Sequence, residues 1–311
     1  MNTLNPMKLV ILVGPTGSGK SSLAIRLSKE LNGELISADS RYLYRELNIG
    51  TAKPSPEELA SVPHHLINVT TLDSPWSLGV FQREATRLIE DINTRGKLPI
   101  LVGGTGQYVR AILENWEVPG QVPLDNLRET IEAWGERIGF DTLHGRLARL
   151  DPEAAAQIDY RNKRRTIRAL EVILATGKRF SDQRTKSSSP YQTLVLGLDW
   201  PRELLYQRID ARIDAMLAQG LVDEVRSLRD MGKAADLRCM GIIGYPEILN
   251  YLDGETSLDE AVVLIRRNTR VYVRRQANWF KPSDPRIHWF KAADPAVVDH
   301  MLDLIKSHFP A

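Results

Sequence analysis

The sequence predicts an α/β protein with a parallel sheet that is interrupted by a mostly helical insertion. Short apolar runs alternate with segments of helical periodicity up to residue 116, and a glycine-rich turn joins the first run to the first helix. No convincing strand pattern occurs between residues 117 and 189, and a strand pattern then returns at Thr193–Leu198. Strands that alternate with helices are typical of a parallel sheet, so the helical block is predicted to be inserted into that domain.

Apolar periodicity and turn residues define the individual elements. In the first part, the predicted elements are strands at Leu9–Val13, Glu34–Ala38 and Leu98–Val102 and helices at Ser21–Leu31 and Trp76–Arg95, the last ended by Gly96. In the block, they are helices at Leu124–Ile138, Phe140–Arg149, Pro152–Ile158 and Asn162–Thr176, then a linker at Lys186–Pro190. After the returning strand, helical patterns alternate with turns at Gly220, Gly232 and Gly254. We therefore expect a core of residues 1–116 and 190–311 and an insertion of residues 117–189.

Composition excludes several classes of protein. A chain of 311 residues with 42% hydrophobic and 26% charged side chains can form a core without covalent or metal staples. The single cysteine, Cys239, can form neither an internal disulfide nor a zinc cluster. Apolar runs stay well short of the ~18 residues that a membrane span needs. The N-terminal residues lack the pattern of a signal peptide, so we expect a cytoplasmic protein that is not bound to a membrane.

The formal net charge of +2 conceals two basic segments. Residues 161–186 hold nine basic and two acidic side chains, and residues 266–281 hold six basic and none acidic. In the first, Arg161, Arg165 and Arg168 are spaced to share one helix face; in the second, Arg266, Arg270 and Arg274 recur every four residues. The aromatic residues Tyr272, Trp279 and Phe280, together with Gln276, interleave with the second set. Localised basic surfaces of this kind favour a polyanion such as RNA, although solvated helix faces with core aromatics are the alternative.

A phosphate-binding motif lies between the first strand and the first helix. The residues Gly14, Pro15, Thr16, Gly17, Ser18, Gly19, Lys20 and Ser21 match G-x-x-x-x-G-K-[ST], the P-loop pattern. Its glycines let backbone N–H groups surround phosphate oxygens, Lys20 adds a charge, and Ser21 is a candidate ligand for Mg²⁺. The Thr16 hydroxyl is suited to donate to a bridging or leaving oxygen. The fold prediction thus becomes a P-loop NTPase-like sheet with a helical insertion.

The acidic partner of this loop is Asp39, which follows the second strand. Strand carboxyl ends converge on the ligand crevice of such folds, so Asp39 is either a metal ligand or a general base. The strand Leu98–Val102 ends in Gly103-Gly104-Thr105-Gly106 rather than in the aspartate typical of ATPases. Arg208 and Arg212, four residues apart, could reach the phosphate site, with Asp210 and Asp214 as competing partners. The adjacent His64 and His65 are read as structural, because neighbouring side chains point apart and a third metal ligand is lacking nearby.

Nine stretches together resemble the family of bacterial tRNA dimethylallyltransferases, and the resemblance covers essentially the whole chain. They are GPTGSGKSSLA (14–24), ISADS (36–40), NIGTAKP (48–54), PHHLI (63–67), PILVGGTGQYV (99–109), NKRRTIRALEV (162–172), GLVDEV (220–225), IGYPEI (243–248) and NTRVYVRRQANWF (268–280). Arg41-Tyr42 stands where many relatives have Met-Gln, and Gly241 and Pro246 also depart from the family pattern. With a single cysteine, the chain is not expected to form the C-terminal zinc finger that eukaryotic relatives carry.

The resemblance implies transfer of a dimethylallyl group from dimethylallyl diphosphate to N6 of adenine 37, beside the anticodon of a tRNA, with release of diphosphate. It implies that Asp39 is the general base, that Thr16 lies near the bridging oxygen, and that Arg208 or Arg212 contacts the diphosphate with Mg²⁺. An exocyclic amine is a poor nucleophile and needs a base, and the adenine must leave the stack to be reached. The insertion is then expected to clamp the anticodon stem-loop, and the protein to act as a monomer.

The tRNA-binding residues implied by the resemblance come from five regions of the chain. They are Asp39, Ser40, Arg41, Tyr42, Thr105, Arg128, Arg164, Arg165, Thr166, Ile167, Arg168, Met240, Gly241, Ile242, Ile243, Gly244 and Tyr245. The alternatives are an adenylate isopentenyltransferase acting on free nucleotide, which would need no basic insertion, and a P-loop kinase or RNA-binding ATPase.

Overall fold

The strands of the chain form a parallel sheet. The computed structural model describes residues 7–116, 125–182 and 189–310. In these ranges, six strands pair in the order β3-β2-β4-β1-β5-β6, and all five pairings are parallel. The strands are β1 (Lys8–Val13), β2 (Gly33–Ser37), β3 (His64–His65), β4 (Leu98–Gly103), β5 (Gln192–Asp199) and β6 (Ile287–Lys291). The parallel α/β sheet is therefore confirmed, including the return of the chain to the sheet after the helical block.

The strands are apolar because both faces of the sheet are covered. Leu9, Ile11 and Val13 of β1 lie in one core cluster with Phe81 and Ile89, whereas Val10 and Leu12 lie in the other. Strands buried on both faces have continuous rather than alternating apolar sequences, which is the pattern of Leu9–Val13. The helices of this part of the chain are α1 (Lys20–Glu30), α2 (Pro56–Ser61), α3 (Leu78–Thr94) and α4 (Gly106–Leu113).

Local signals explain the ends of α3. The Ser77 hydroxyl accepts the Val80 N–H at the N-terminus, and Gly96 has a φ of +69° just beyond the C-terminus. A serine cap and a glycine in the left-handed region are the usual boundaries of a helix. The helices α2 and α4 and the strands β3 and β6 were not anticipated from the sequence, because each is short or lacks clear periodicity.

The chain divides into two compact units. A sheet unit comprises residues 1–113 and 189–311, and a helical unit comprises residues 114–188. The helical unit contains α5 (Asp125–Ile138), α6 (Phe140–Leu150), α7 (Pro152–Gln157) and α8 (Lys163–Thr176), which pack around Ile131, Leu143, Leu147 and Leu170. Asp151 is fully buried there. Its carboxylate caps α7 by accepting a hydrogen bond from the Ala154 N–H, and it also accepts hydrogen bonds from the backbone N–H and the hydroxyl of Ser181. Most of the predicted linker, Lys186–Ser188, lies outside the described residues.

Six further helices complete the sheet unit. They are α9 (Arg202–Ala218), α10 (Leu221–Asp230), α11 (Ala234–Met240), α12 (Tyr245–Leu252), α13 (Leu258–Ala277) and α14 (Val297–His308). Met301 and Ile305 of α14 pack on the sheet face that carries α1, whereas α9–α13 contribute to the opposite face. Across the described ranges, every helix is too short or too polar to cross a bilayer.

Candidate active site

The glycine-rich loop joins the carboxyl end of β1 to the first turn of α1. Gly17 and Gly19 have φ values of +83° and +86°, a conformation that side chains disfavour, so glycine is required at both positions. The Ser18 N–H donates to the Pro15 carbonyl oxygen at 3.2 Å, and Lys20 Nζ donates to the same oxygen at 3.1 Å. The loop thus wraps around the amino end of α1, where backbone N–H groups and Lys20 together favour an anion.

Asp39 follows β2 at the same edge of the sheet. Its Oδ1 accepts the Arg41 N–H at 2.9 Å, and the neighbouring Ser40 N–H donates to Thr105 Oγ1 at 3.1 Å. The loops after β2 and β4 are therefore joined by a hydrogen bond. They also approach very closely, because a Cβ on Gly103 would lie 2.3 Å from the Ala38 carbonyl oxygen.

These loops open onto a cavity of about 430 Å³. Many of the predicted site residues line it: Thr16, Gly17, Gly19, Lys20, Ser21, Asp39, Tyr42, Arg208 and Arg212. The loop after β4 contributes Gly103, and residues that the motifs did not single out as site residues, such as Lys53 and Glu58, complete the wall. The structure thus brings the glycine-rich loop, the carboxylate and both arginines together around one space.

The two arginines reach the cavity from α9. Arg208 Nε donates to the Gly17 carbonyl oxygen at 3.0 Å, and its guanidinium lies 4.6 Å from the ring centre of Trp200. Arg212 donates to the Thr51 carbonyl oxygen at 2.9 Å. The expected competitors are engaged elsewhere, since Asp210 pairs with Arg270 and Asp214 with Arg266, each at 2.5 Å. Asp210 and Asp214 therefore do not compete with a ligand in the cavity for the guanidinium groups of Arg208 and Arg212.

Comparisons with known proteins identify the family of the chain. Residues 42–283 match the family model described as IPP transferase. The chain belongs to the IPP transferase family. It is 48% identical to the tRNA dimethylallyltransferase of Roseiflexus sp. (strain RS-1) over 273 residues, which cover 88% of this chain and 90% of the relative. It is 46% identical to the tRNA dimethylallyltransferase of Geobacter sulfurreducens, with 90% of each chain covered.

Solved structures of the same family have the same fold. The full-length tRNA isopentenylpyrophosphate transferase of Bacillus halodurans matches with a TM-score of 0.72 and 40% identity, covering 97% of this chain and 96% of that one. A eukaryotic dimethylallyltransferase acting on tRNA matches with a TM-score of 0.79 and 29% identity, covering 92% of this chain and 74% of that one.

Burial shifts the pKa values of two ionisable groups in the site of this IPP transferase family member. Burial lowers the pKa of Lys20 to about 8, with Asp39 opposing the shift and Arg212 reinforcing it. Burial and the charge of Asp39 raise the pKa of Tyr42 to about 12, so its hydroxyl stays protonated and donates to the Ala52 carbonyl oxygen at 2.9 Å. Lys20 therefore carries its charge below about pH 8 and loses it as the pH rises through that value.

Oxygen donors suited to Mg²⁺ line the cavity. The Ser21 hydroxyl and the Asp39 carboxylate are hard ligands of the kind that Mg²⁺ prefers. Within the described ranges, His, Cys, Asp and Glu side chains form no group of three that could hold a metal. Magnesium sites commonly combine one or two carboxylates with substrate phosphates and water, so the donor set fits an ion that binds together with a phosphorylated ligand.

Glu224 is an organising residue that the sequence did not reveal. Its carboxylate accepts the backbone N–H groups of Asn48, Ile49 and Gly50 at 2.8–3.0 Å, and the Tyr245 hydroxyl donates to it at 2.8 Å. This fixes the segment 48–53, whose carbonyl oxygens hold Arg212 and Tyr42. The segment's motif NIGTAKP was visible, but its carboxylate partner lies more than 170 residues away.

Lys53 ends this segment at the cavity wall. Its Nζ donates to Asn68 Oδ1 at 2.6 Å, to Asn48 Oδ1 at 3.2 Å and to the Tyr44 carbonyl oxygen. Burial lowers its pKa to about 8, against the opposing charges of Glu224 and Glu46. The Lys53 ammonium group therefore donates to three protein oxygens, and these hydrogen bonds stabilise the segment 48–53.

The basic segment of the helical unit is only partly as predicted. Arg164 and Arg165 are exposed in the first turn of α8, and neither pairs with an acidic side chain among the described residues. Arg161 precedes the helix and pairs with Asp159 at 2.8 Å, so its predicted place on the same helix face is wrong. Arg168 lies 3.2 Å and Arg128 3.7 Å from Glu171.

Several residues implied to contact tRNA have buried side chains. Thr166 and Ile167 are 1% and 2% exposed in the core of the helical unit, and Ile242 and Tyr245 are 4% and 0% exposed in the sheet unit. Their side chains pack in the core of their own unit, and their role in contacting tRNA stays a prediction. Thr166 and Ile167 lie on the packed face of α8, and a contiguous sequence motif does not show which of its residues face the core. Of the stretch Met240–Tyr245, only Gly241, at a φ of +56°, is fully exposed.

The second basic segment also differs from expectation. Phe280 and Gln276 are buried, and Arg266 and Arg270 are the partners of the α9 aspartates described above. Burial and the charge of Asp39 raise the pKa of Tyr272 to about 12. Phe280 and Gln276 thus point into the sheet unit, so for Phe280 the alternative of a core aromatic is the one that the structure supports.

The two histidines have structural partners, as interpreted from the sequence. His64 Nδ1 is 2.8 Å from the Val62 carbonyl oxygen, and His65 Nε2 is 2.8 Å from Glu34 Oε2. Glu34 is buried and also pairs with Arg95 and Lys97. These hydrogen bonds, first of all that from Arg95, hold the pKa of Glu34 far below its usual range, so this carboxylate stays ionised.

Proposed function

We propose that the protein transfers the dimethylallyl group of dimethylallyl diphosphate to N6 of adenine 37 of a tRNA. The observation that carries the proposal is the single cavity lined by the glycine-rich loop, Asp39, Arg208 and Arg212. An anion site and a carboxylate within one cavity are two requirements of an alkyl transfer from a diphosphate to an amine. The names of the relatives support the same reaction and the same class of acceptor.

In the reaction, the adenine N6 attacks the terminal allylic carbon as the bond from that carbon to the diphosphate oxygen breaks. The electron pair of the broken bond leaves with the diphosphate, and the proton of the amine passes to Asp39. Thr16 donates to the bridging oxygen, while Lys20 and the two arginines offset the charge that develops on the leaving group. Ser21 would hold Mg²⁺, which would supply further neutralisation of that charge when bound.

The anticodon stem-loop is the part of the tRNA that we propose as the partner, bound by a monomer. Exposed Arg164 and Arg165 support contacts with its phosphates, with Arg168 and Arg128 beside them. Ser40, Arg41, Tyr42 and Thr105 surround Asp39 and are proposed to hold the flipped adenine.

One transfer assay tests the proposal. The protein is incubated with Mg²⁺ and dimethylallyl diphosphate carrying radiolabel in the allylic group, with an unmodified anticodon stem-loop, free AMP or no acceptor. We expect label in the stem-loop alone, with release of one diphosphate per group transferred. Label in AMP would identify an adenylate prenyltransferase, and turnover of ATP without any label transfer would identify a kinase or ATPase; either result overturns the proposal. A stem-loop with guanine at position 37 is the matched control and should remain unlabelled.

A further inference from the structure

Gln276 is a buried amide between the two loops that shape the cavity. It belongs to α13 within the second basic segment, yet it is only 4% exposed. Its Oε1 accepts the Thr16 N–H at 2.9 Å, and its Nε2 donates to the Gly104 carbonyl oxygen at 3.1 Å. Both ends of the amide are therefore satisfied by backbone atoms, one in each loop.

The two loops have different tasks in the proposed reaction. Thr16 belongs to the glycine-rich loop after β1, and Gly104 adjoins Thr105, whose hydroxyl accepts the Ser40 N–H beside Asp39. The strands β1 and β4 are direct neighbours in the sheet. One amide thus links the loop on the diphosphate side to the loop on the adenine side.

The contact leaves no room for adjustment. A Cβ on Gly104 would lie 2.4 Å from Gln276 Nε2, and a Cβ on Gly106 would lie 2.1 Å from Cγ of Trp279, one turn further along the chain. The last turn of α13 is therefore pressed against Gly104 in the loop after β4, and the residues just after α13 are pressed against Gly106 at the start of α4. A buried, fully satisfied polar group in such a place fixes geometry, because any shift leaves a donor or an acceptor unpaired.

Only glutamine has the chemistry and length that this position needs. It must accept from one backbone group and donate to another at a fixed separation. Glutamate lacks the donor when ionised, lysine lacks the acceptor, and asparagine is one methylene shorter. The hydrogen bond also occupies the Thr16 N–H, so this group is held in place before a phosphate arrives, and the loop is preorganised.

We propose that Gln276 is a positioning residue that fixes the glycine-rich loop relative to the Thr105 loop. It thereby sets the distance between the diphosphate and the attacking amine. This inference rests on the proposed function and extends it to a residue that touches neither reactant. The general consequence is that kcat depends on Gln276, whereas tRNA affinity does not.

The variant Gln276→Glu provides the test, because its defect is reversible with pH. At about pH 8 the new carboxylate still accepts the Thr16 N–H but faces the Gly104 carbonyl oxygen without a proton to donate. Burial beside that oxygen raises the carboxyl pKa, so lowering the pH to about 6 restores the donor. We expect kcat relative to the unaltered protein to fall about tenfold or more at pH 8 and to recover to within about threefold at pH 6. The Kd for the stem-loop should match the unaltered protein at both values.

Controls separate positioning from a loss of folding. Gln219→Glu, at the exposed end of α9, should show no relative change at either pH. Gln276→Leu removes both hydrogen bonds and should lose kcat without recovery at low pH. Thermal unfolding at both pH values identifies a variant that is simply unfolded. If Gln276→Glu is folded, recovery of its kcat at pH 6 supports the positioning role.

Calorimetric binding of inorganic diphosphate gives a readout that does not depend on transfer. We expect Gln276→Glu to bind it about tenfold more weakly than the unaltered protein at pH 8, with the ratio approaching one at pH 6. A kcat and a diphosphate Kd that equal those of the unaltered protein at pH 8 would overturn the inference, as would a loss that persists at pH 6 in folded protein. If the unaltered protein transfers no label, the proposed function is wrong. The diphosphate Kd values of the Gln276 variants still test whether Gln276 positions the glycine-rich loop.

Discussion

The carboxyl edge of the sheet and the first turn of α8 are both suited to polyanions, but they are constructed differently. At the sheet edge, Lys20 and Asp39 are at most half-exposed and hydrogen-bonded to nearby backbone. In α8, Arg164 and Arg165 are exposed to solvent. Fixed, partly buried groups act on charge that develops during a reaction, whereas exposed charges contribute affinity that salt weakens. We therefore expect the two regions to control different quantities.

Removing the carboxylate of the sheet edge should have the largest effect. Asp39→Asn keeps the shape and an acceptor for the Arg41 N–H but cannot take the proton of the amine. We expect kcat to fall by about 10²–10⁴ while the Kd for the stem-loop changes little. Single-turnover transfer and filter binding measure the two quantities. Asp199→Asn, at the exposed end of β5, is the control; retention of activity by Asp39→Asn would remove the general-base role.

Neutralising α8 should change affinity instead. The double variant Arg164→Ala, Arg165→Ala should weaken stem-loop binding by about tenfold or more at low salt and reduce the salt slope by about one per arginine. At saturating stem-loop its kcat should be unchanged. Arg266→Ala, whose charge is already paired with Asp214, is the matched control and should alter affinity less. An unchanged salt slope for the double variant would contradict the separation of the two regions.

The pH dependence of diphosphate binding should identify the sheet edge as the anion site. The pKa of Lys20 is lowered to about 8, so its charge is present below that pH and is lost as the pH rises. We expect calorimetric affinity for diphosphate to decline above about pH 8 by up to tenfold per unit. Lys20→Arg should abolish this decline because arginine stays charged. Lys53→Arg is the control, since the pKa of Lys53 is also about 8; if it abolished the decline instead, Lys53 would be the titrating group.

Substitution of Glu224 should have the smallest effect, and one confined to the binding of dimethylallyl diphosphate. In Glu224→Gln, an amide NH₂ replaces an oxygen that accepts backbone N–H groups, so the segment 48–53 and Arg212 are held less firmly. We expect the KM for dimethylallyl diphosphate to rise about fivefold, with kcat and stem-loop Kd nearly unchanged. Asp223→Asn changes the neighbouring exposed carboxylate of α10 and should have no effect. An equal loss of stem-loop affinity in Glu224→Gln would show that the effect is not confined to the sheet edge.

The sequence was most informative where local chemistry dictates structure. The strand at Leu9–Val13, the loop Gly14–Lys20 and the helix caps around α3 each follow from residues adjacent in the chain. It was least informative where the partner is distant, as for Glu224 with segment 48–53 and Gln276 with Thr16. The basic segment in α13 illustrates the reason, because periodicity identifies the faces of a helix without identifying what packs on each. The short strand β6 was missed because it has only five residues and is not buried throughout.

The order of the strands sets a requirement on synthesis. β1 lies between β4 and β5, but β5 is made only after the whole helical unit has emerged. A nascent chain that has completed β4 therefore presents one edge of β1 unpaired, and unpaired edges invite pairing with other chains. The helical unit, whose contacts are local in sequence, is expected to fold during this interval. A chain that stalls before residue 192 would thus carry a finished helical unit beside an open, aggregation-prone sheet.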